Sequence, residues 1–168
     1  LYTIQALGFD KIGAGLLVAC SQAGGAVSRL VLGAASDRWL AHRRSVWLAL
    51  TGALGASTFA AYAVWPVSPP LGAGALAFAT GVGAYGWVGI FFVISVEVGG
   101  PRQAGLLSGV AFAAIVVGLL VGPSVFGLLL ESWDSYAVPW AAFAALSALV
   151  TVTLLLSGSA IDRERLRP

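Results

Sequence analysis

Five stretches of this chain, residues 12–36, 46–65, 71–98, 106–130 and 139–157, are predominantly apolar, and each runs for about 20 residues or more. The hydrocarbon core of a bilayer is about 30 Å thick and is crossed by about 20 residues of helix at 1.5 Å each. Every stretch is therefore long enough to cross. A backbone in lipid has no water to bond, so only helices and closed barrels span. Barrel strands would alternate apolar and polar residues over about ten positions, and no such alternation is present. The sequence thus predicts an all-α polytopic membrane protein with five transmembrane helices. Only 10% of its residues are charged, against about 25% in a soluble domain, and the links between stretches are too short to hold a separate folded unit.

The few charges set the expected orientation. Arg38, Arg43 and Arg44 follow the first stretch, Arg102 follows the third, and Arg163, Arg165 and Arg167 follow the last, so seven of nine basic residues share one side. Lys and Arg accumulate in cytoplasmic loops. This places the tail 158–168 in the cytoplasm and the N-terminus outside, across a plasma or inner membrane. The net charge of +2 then reflects topology, and no nucleic-acid partner is expected. Trp39, Trp47, Trp65, Trp133 and Trp140 fall at stretch ends, where an amphipathic ring favours the interface, whereas Trp87 falls within the third stretch. That stretch also carries Gly72, Gly74, Gly81, Gly83, Gly86 and Gly89, which predicts close helix contact, bending, or both. Residues 1–7 have no basic start, unlike a signal peptide. They look like the end of a preceding helix, and with no Met in the chain the sequence is expected to be a piece of a longer protein.

Gly25, Arg29, Gly33 and Asp37 are spaced by four and share one helical stripe. Arg29 lies about 12 Å deeper in the membrane than Asp37. A charge there costs between about 2.5 and about 17 kcal/mol, depending on the reference state, so it needs a partner. It contacts an anionic group of a substrate, or it donates to carbonyl ends of neighbouring helices. Gln22, two turns outward on nearly the same face, would extend a polar lining. Chemistry at membrane depth would call for a Ser and His, paired Asp, or carboxylates around a metal. No acid lies away from the stretch ends and His42 is in a loop, so no enzyme, metal or cofactor is expected. Cys20 reads as a small buried hydrophobe.

From Gly33 the chain reads GAASDRWLAHRR. This resembles the signature loop of the major facilitator superfamily, G-x-x-x-D-[RK]-x-G-[RK]-[RK], between the second and third helices of a six-helix half. It departs from that pattern at His42, where the family has glycine, and in an Asp37-to-Arg43 spacing two residues longer. The resemblance implies that Asp37 caps a neighbouring helix and that Arg38, Arg43 and Arg44 belong to a latch on the cytoplasmic side. Glu97 to Arg102, EVGGPR, resembles the acidic-to-basic pair ending the family's fourth helix. It implies Glu97 as the partner of Arg43 or Arg44, a headgroup anchor being the alternative for Glu97 and Arg102.

Gly109, Gly118, Gly122, Pro123 and Gly127 in the fourth stretch resemble the fifth-helix pattern of proton-coupled drug antiporters, with Phe126 where that pattern has glycine. Similar Gly-Pro sequences also occur in eleventh helices without antiport. Pro123 by itself supports a kinked, glycine-faced helix. The resemblance covers essentially the whole chain and implies helices eight to twelve, five of the six in a C-terminal half. Arg29 also looks like the arginine of monocarboxylate and oxalate/formate-type carriers. The implied function is secondary active transport of a small organic anion by alternating access between two halves. Its implied partners are the lipid bilayer, a small-molecule substrate and the missing N-terminal half. A drug or metabolite exporter of the same fold and a non-transporting membrane scaffold are the alternatives.

Overall fold

The computed structural model describes residues 2–5, 7–39, 44–64 and 70–165, those at 5, 36, 37, 39, 70, 71 and 159–165 by backbone alone. The elements are α1 (Tyr2–Gln5), α2 (Lys11–Trp39), α3 (Arg44–Val64), α4 (Pro70–Tyr85), α5 (Trp87–Trp133) and α6 (Ala137–Arg165). Among the described residues there is no strand. Four stretches are long and apolar enough to cross a membrane: Lys11–Ala35, Arg44–Val64, Gly72–Trp133 and Ala137–Gly158. The chain is an all-α, multi-pass membrane protein.

The third of these stretches has 62 residues, about 93 Å of helix and three times the hydrocarbon thickness. It has to turn, and it does so at Gly100, where φ is 57° and ψ is −174°. That left-handed φ is open to glycine and costly for residues with a Cβ. Pro101 restarts the helix at once, because its fixed φ suits a first helical position and its missing N–H is not needed there. The link expected over 99–105 thus contracts to a single residue, leaving 72–99 and 101–133 each at least one crossing long. The link expected over 132–138 also shortens. Asp134 ends α5 in the left-handed conformation, φ 45° and ψ 37°, and Ser135 Oγ accepts the Ala137 N–H at 3.3 Å.

Packing follows from the lack of a hydrophobic force between helices in lipid, where close van der Waals contact takes over. The main partners are α2 with α4 and α3 with α6, and α3 also lies against α4. At the α2–α4 crossing, a methyl group on Gly81 would overlap the Ser21 carbonyl, and one on Gly24 would overlap the Phe78 carbonyl. These backbones touch because no side chain separates them. On its other side α4 brings Gly83 against Gly55 of α3. Of the six glycines of the third stretch, Gly81, Gly83 and Gly86 have such neighbours, whereas a Cβ on Gly74 or Gly89 would meet nothing within 4 Å. Buried hydroxyls stay compatible with the apolar interior by bonding their own helices: Ser28 to Gly25 at 2.9 Å, Thr58 to Gly55 at 3.0 Å and Thr151 to Ser147 at 2.8 Å.

One end of the bundle is closed by rings. Tyr2 of α1 lies edge-on to Tyr62, Tyr136 and Trp140 at centroid distances of 5.7, 5.2 and 5.5 Å, and its hydroxyl donates to the Tyr62 carbonyl at 3.3 Å. Phe126 joins from α5 through Trp140 at 5.1 Å. Elsewhere the 101–133 part of α5 is peripheral, since none of its residues is buried. Helical dihedrals persist through Pro123, Gly100 being the non-helical position inside α5. The sharp turn of the chain falls at Gly100, where glycine permits a left-handed φ.

Candidate functional site

Two charged features stand on this scaffold, at different depths. Arg29 projects from α2, exposed, about 15 Å along the helix from Trp39. Its Nε donates to the Tyr85 carbonyl at 3.4 Å, and among the described residues that carbonyl is its one hydrogen-bond partner. A carbonyl solvates a guanidinium without neutralising it. The contact is made where α4 gives way to α5 at Gly86, which stands in a turn although its φ of −66° and ψ of −30° remain helical. There the Tyr85 ring packs on Gly25, and Trp87 Nε1 donates to the Ala84 carbonyl at 2.8 Å. Two successive carbonyls at membrane depth are thus served by side chains. Gln22 is exposed on α2, two turns from Arg29.

The second feature joins α3 and α5 at the opposite end from the ring cluster. Arg44 Nη2 lies 3.3 Å from Glu97 Oε1, with the arginine side chain 8% exposed and the glutamate 32%. Nearby Leu48, Ile90 and Ile94 form a buried cluster with Trp47, Trp87 and Leu154 against it, which holds the first part of α5 on α3. The pair is half desolvated, and the Coulomb energy at such a distance is several-fold larger than in bulk water. Arg44 and Glu97 come together from positions 53 residues apart in the chain.

The remaining sequence candidates divide by place. Gly33 is half-buried and Arg38 exposed near the end of α2, and Arg102 is exposed just after Gly100. Asp37 lies in α2, its side chain outside the description, and Arg43 lies outside the described residues. The structure therefore brings Arg44 and Glu97 into contact and keeps Arg29 apart from them. Gly109, Gly118, Gly122 and Gly127 face open space, with nothing within 4 Å of a Cβ at any of them, and Pro123 is exposed.

Sequence reasoning missed the joint at 84–87. Its signals were the glycines of the third stretch, Gly86 among them, which predicted bending without a position, and Trp87, the tryptophan away from a stretch end. A cavity of about 410 Å³ between α3, α4, α5 and α6, walled by Phe59, Ala84, Trp87, Phe91 and Phe143 among others, has none of these charged residues in its lining. Among the described residues no group of His, Cys, Asp and Glu is arranged to hold a metal ion.

No curated protein and no solved structure matches the chain. The family model described as Major Facilitator Superfamily matches residues 1–168. That family comprises secondary transporters rather than enzymes, and the match extends over both charged features and every described helix. The chain belongs to the major facilitator superfamily.

Proposed function

We propose that this chain serves secondary active transport of a small organic anion by alternating access, as helices eight to twelve of a C-terminal half that rocks against an N-terminal half. The observation that carries this reading is Arg29, a charge on a membrane-crossing helix whose one partner among the described residues is a neutral carbonyl. Intramembrane charges face cavities or pair with counter-charges, and a substrate carboxylate supplies the missing charge. Gln22 extends the same lining. Gly33, Asp37, Arg38, Arg43, Arg44, Glu97 and Arg102 form the cytoplasmic gate, with the N-terminus outside and the C-terminus inside a plasma or inner membrane.

The gate is tested by charge reversal in the full-length protein. Arg44→Glu and Glu97→Arg each place like charges at the 3.3 Å contact and are expected to lower uptake into vesicles at least about tenfold, as like-charge contacts costing a few kcal/mol would. The double reversal is expected to recover part of that loss, because it restores an opposite pair. A double variant no better than the product of the two singles leaves Glu97 and Arg44 as independent anchoring charges.

A further inference from the structure

Arg29 touches the joint between α4 and α5, where two successive carbonyls accept hydrogen bonds from side chains. Gly86 stands in a turn with helical dihedrals and its N–H on the Val82 carbonyl at 3.0 Å, and beside it the Tyr85 carbonyl accepts from Arg29 Nε at 3.4 Å and the Ala84 carbonyl from Trp87 Nε1 at 2.8 Å. A carbonyl at membrane depth needs a donor, and here side chains supply one. Unlike the backbone ladder, those donors can exchange partners without unwinding the helix.

Beyond the joint, 87–99 is uninterrupted helix with Glu97 near its far end, where it meets Arg44. Eleven residues of helix put Glu97 about 16 Å from Gly86, so a tilt of about 10° there moves it about 3 Å. That is enough to part a 3.3 Å ion pair. Glu97, at 32% exposure, has water available when it leaves.

We propose that Arg29 is a positioning residue for the α4–α5 joint: an anion bound to its guanidinium draws it off the Tyr85 carbonyl, loosens the hinge at Gly86 and lets 87–99 swing so that Glu97 parts from Arg44. A carboxylate outcompetes the carbonyl because a hydrogen bond between two charged groups is about twice as strong as one with a neutral partner. Ligand arrival in the membrane and opening of the Arg44–Glu97 end are thereby one motion of one helical segment. The inference rests on the reading of Arg29 as the anion contact, extends it, and adds Trp87 as a second positioning residue that does not touch the anion.

Disulfide cross-linking in the full-length protein in membranes tests it, in a Cys20→Ser background. Leu48→Cys with Ile94→Cys reports whether 87–99 rests on α3, since both residues belong to one buried cluster. Ser45→Cys with Gly158→Cys is the control for α3 on α6, because a Cβ at Gly158 would lie 3.0 Å from Ser45 Cβ, a little inside the spacing of about 3.5–4.5 Å that a disulfide spans. Arg29→Gln and Trp87→Phe are each expected to slow the Leu48–Ile94 cross-link at least about threefold, about 0.65 kcal/mol of shifted equilibrium, and to leave the control unchanged.

Unchanged Leu48–Ile94 rates in both variants overturn the inference. If Arg29→Gln abolishes uptake of lactate and oxalate without altering that rate, the anion contact stands and the hinge falls. If the rate drops while uptake of every anion persists, the hinge stands and the anion contact falls.

Discussion

Gly81→Leu is expected to remove the folded protein from the membrane, with monodisperse material after detergent extraction falling to a small fraction of the parent's. Even a methyl group at Gly81 overlaps the Ser21 carbonyl, and a backbone carbonyl cannot rotate away as a flexible side chain does. Overpacking a well-packed interior costs about 1–3 kcal/mol. Here the α2–α4 crossing itself has to open, so a cost at or above the top of that range is expected. Gly74→Ala in the same helix is the comparison, because nothing lies within 4 Å of a Cβ there. It is expected to stay within about 0.5 kcal/mol of the parent. Thermal stability of both variants by size-exclusion after heating checks the contrast. Equal behaviour would mean that the Gly81 contact with Ser21 does not hold the crossing together.

That contrast also shows what a sequence can and cannot display. Apolar length and the helix-only rule in lipid made the all-α membrane class legible at once. Glycine content announced close packing in the third stretch without saying which glycines pack. Gly81 meets α2 and Gly83 meets α3 while Gly74 meets nothing, and only the relative rotation of three helices sorts them. The turn at Gly100 was legible as a link but not as a single residue, because composition cannot show that Pro101 restarts the helix immediately. The Tyr2–Tyr62–Trp140 cluster was invisible for another reason. Its rings come from three distant elements, and no local period connects them.

The candidate site was legible in its residues more than in its bonds. Arg29 stood out because a charge at membrane depth is rare, and both of its readings, anion contact and donor to a helix end, remained open. The structure adds the Tyr85 carbonyl as a partner, a backbone atom that no side-chain motif can announce. Glu97 drew attention through a family resemblance, and the structure sets it 3.3 Å from Arg44. The function of that contact belongs to the gate proposal and its charge-reversal test.

Arg29→Gln is expected to lower anion uptake by about 10- to 100-fold at unchanged protein level. Hydrogen bonds to a charged group contribute about 1.5–3 kcal/mol, and each 1.4 kcal/mol is about a factor of ten. The protein level should hold because Arg29 is exposed and lies outside the buried clusters. Arg29→Lys keeps the charge and loses the planar fork, so an intermediate loss of about tenfold is expected, at the weaker end of that energy range. Initial rates of uptake into vesicles, normalised to transporter content, separate the three proteins. Two variants that transport like the parent would remove Arg29 from the substrate path.

The most direct measurement compares uptake of a small carboxylate with uptake of its uncharged amide of equal size, in liposomes carrying the purified full-length protein. A charge-selecting site at Arg29 should take up the carboxylate at least about ten times faster than the amide, since losing one charged hydrogen bond costs about that factor. Equal rates for the two, or transport of hydrophobic cations with no uptake of the carboxylate, would contradict an anion carrier and favour an exporter of the same fold.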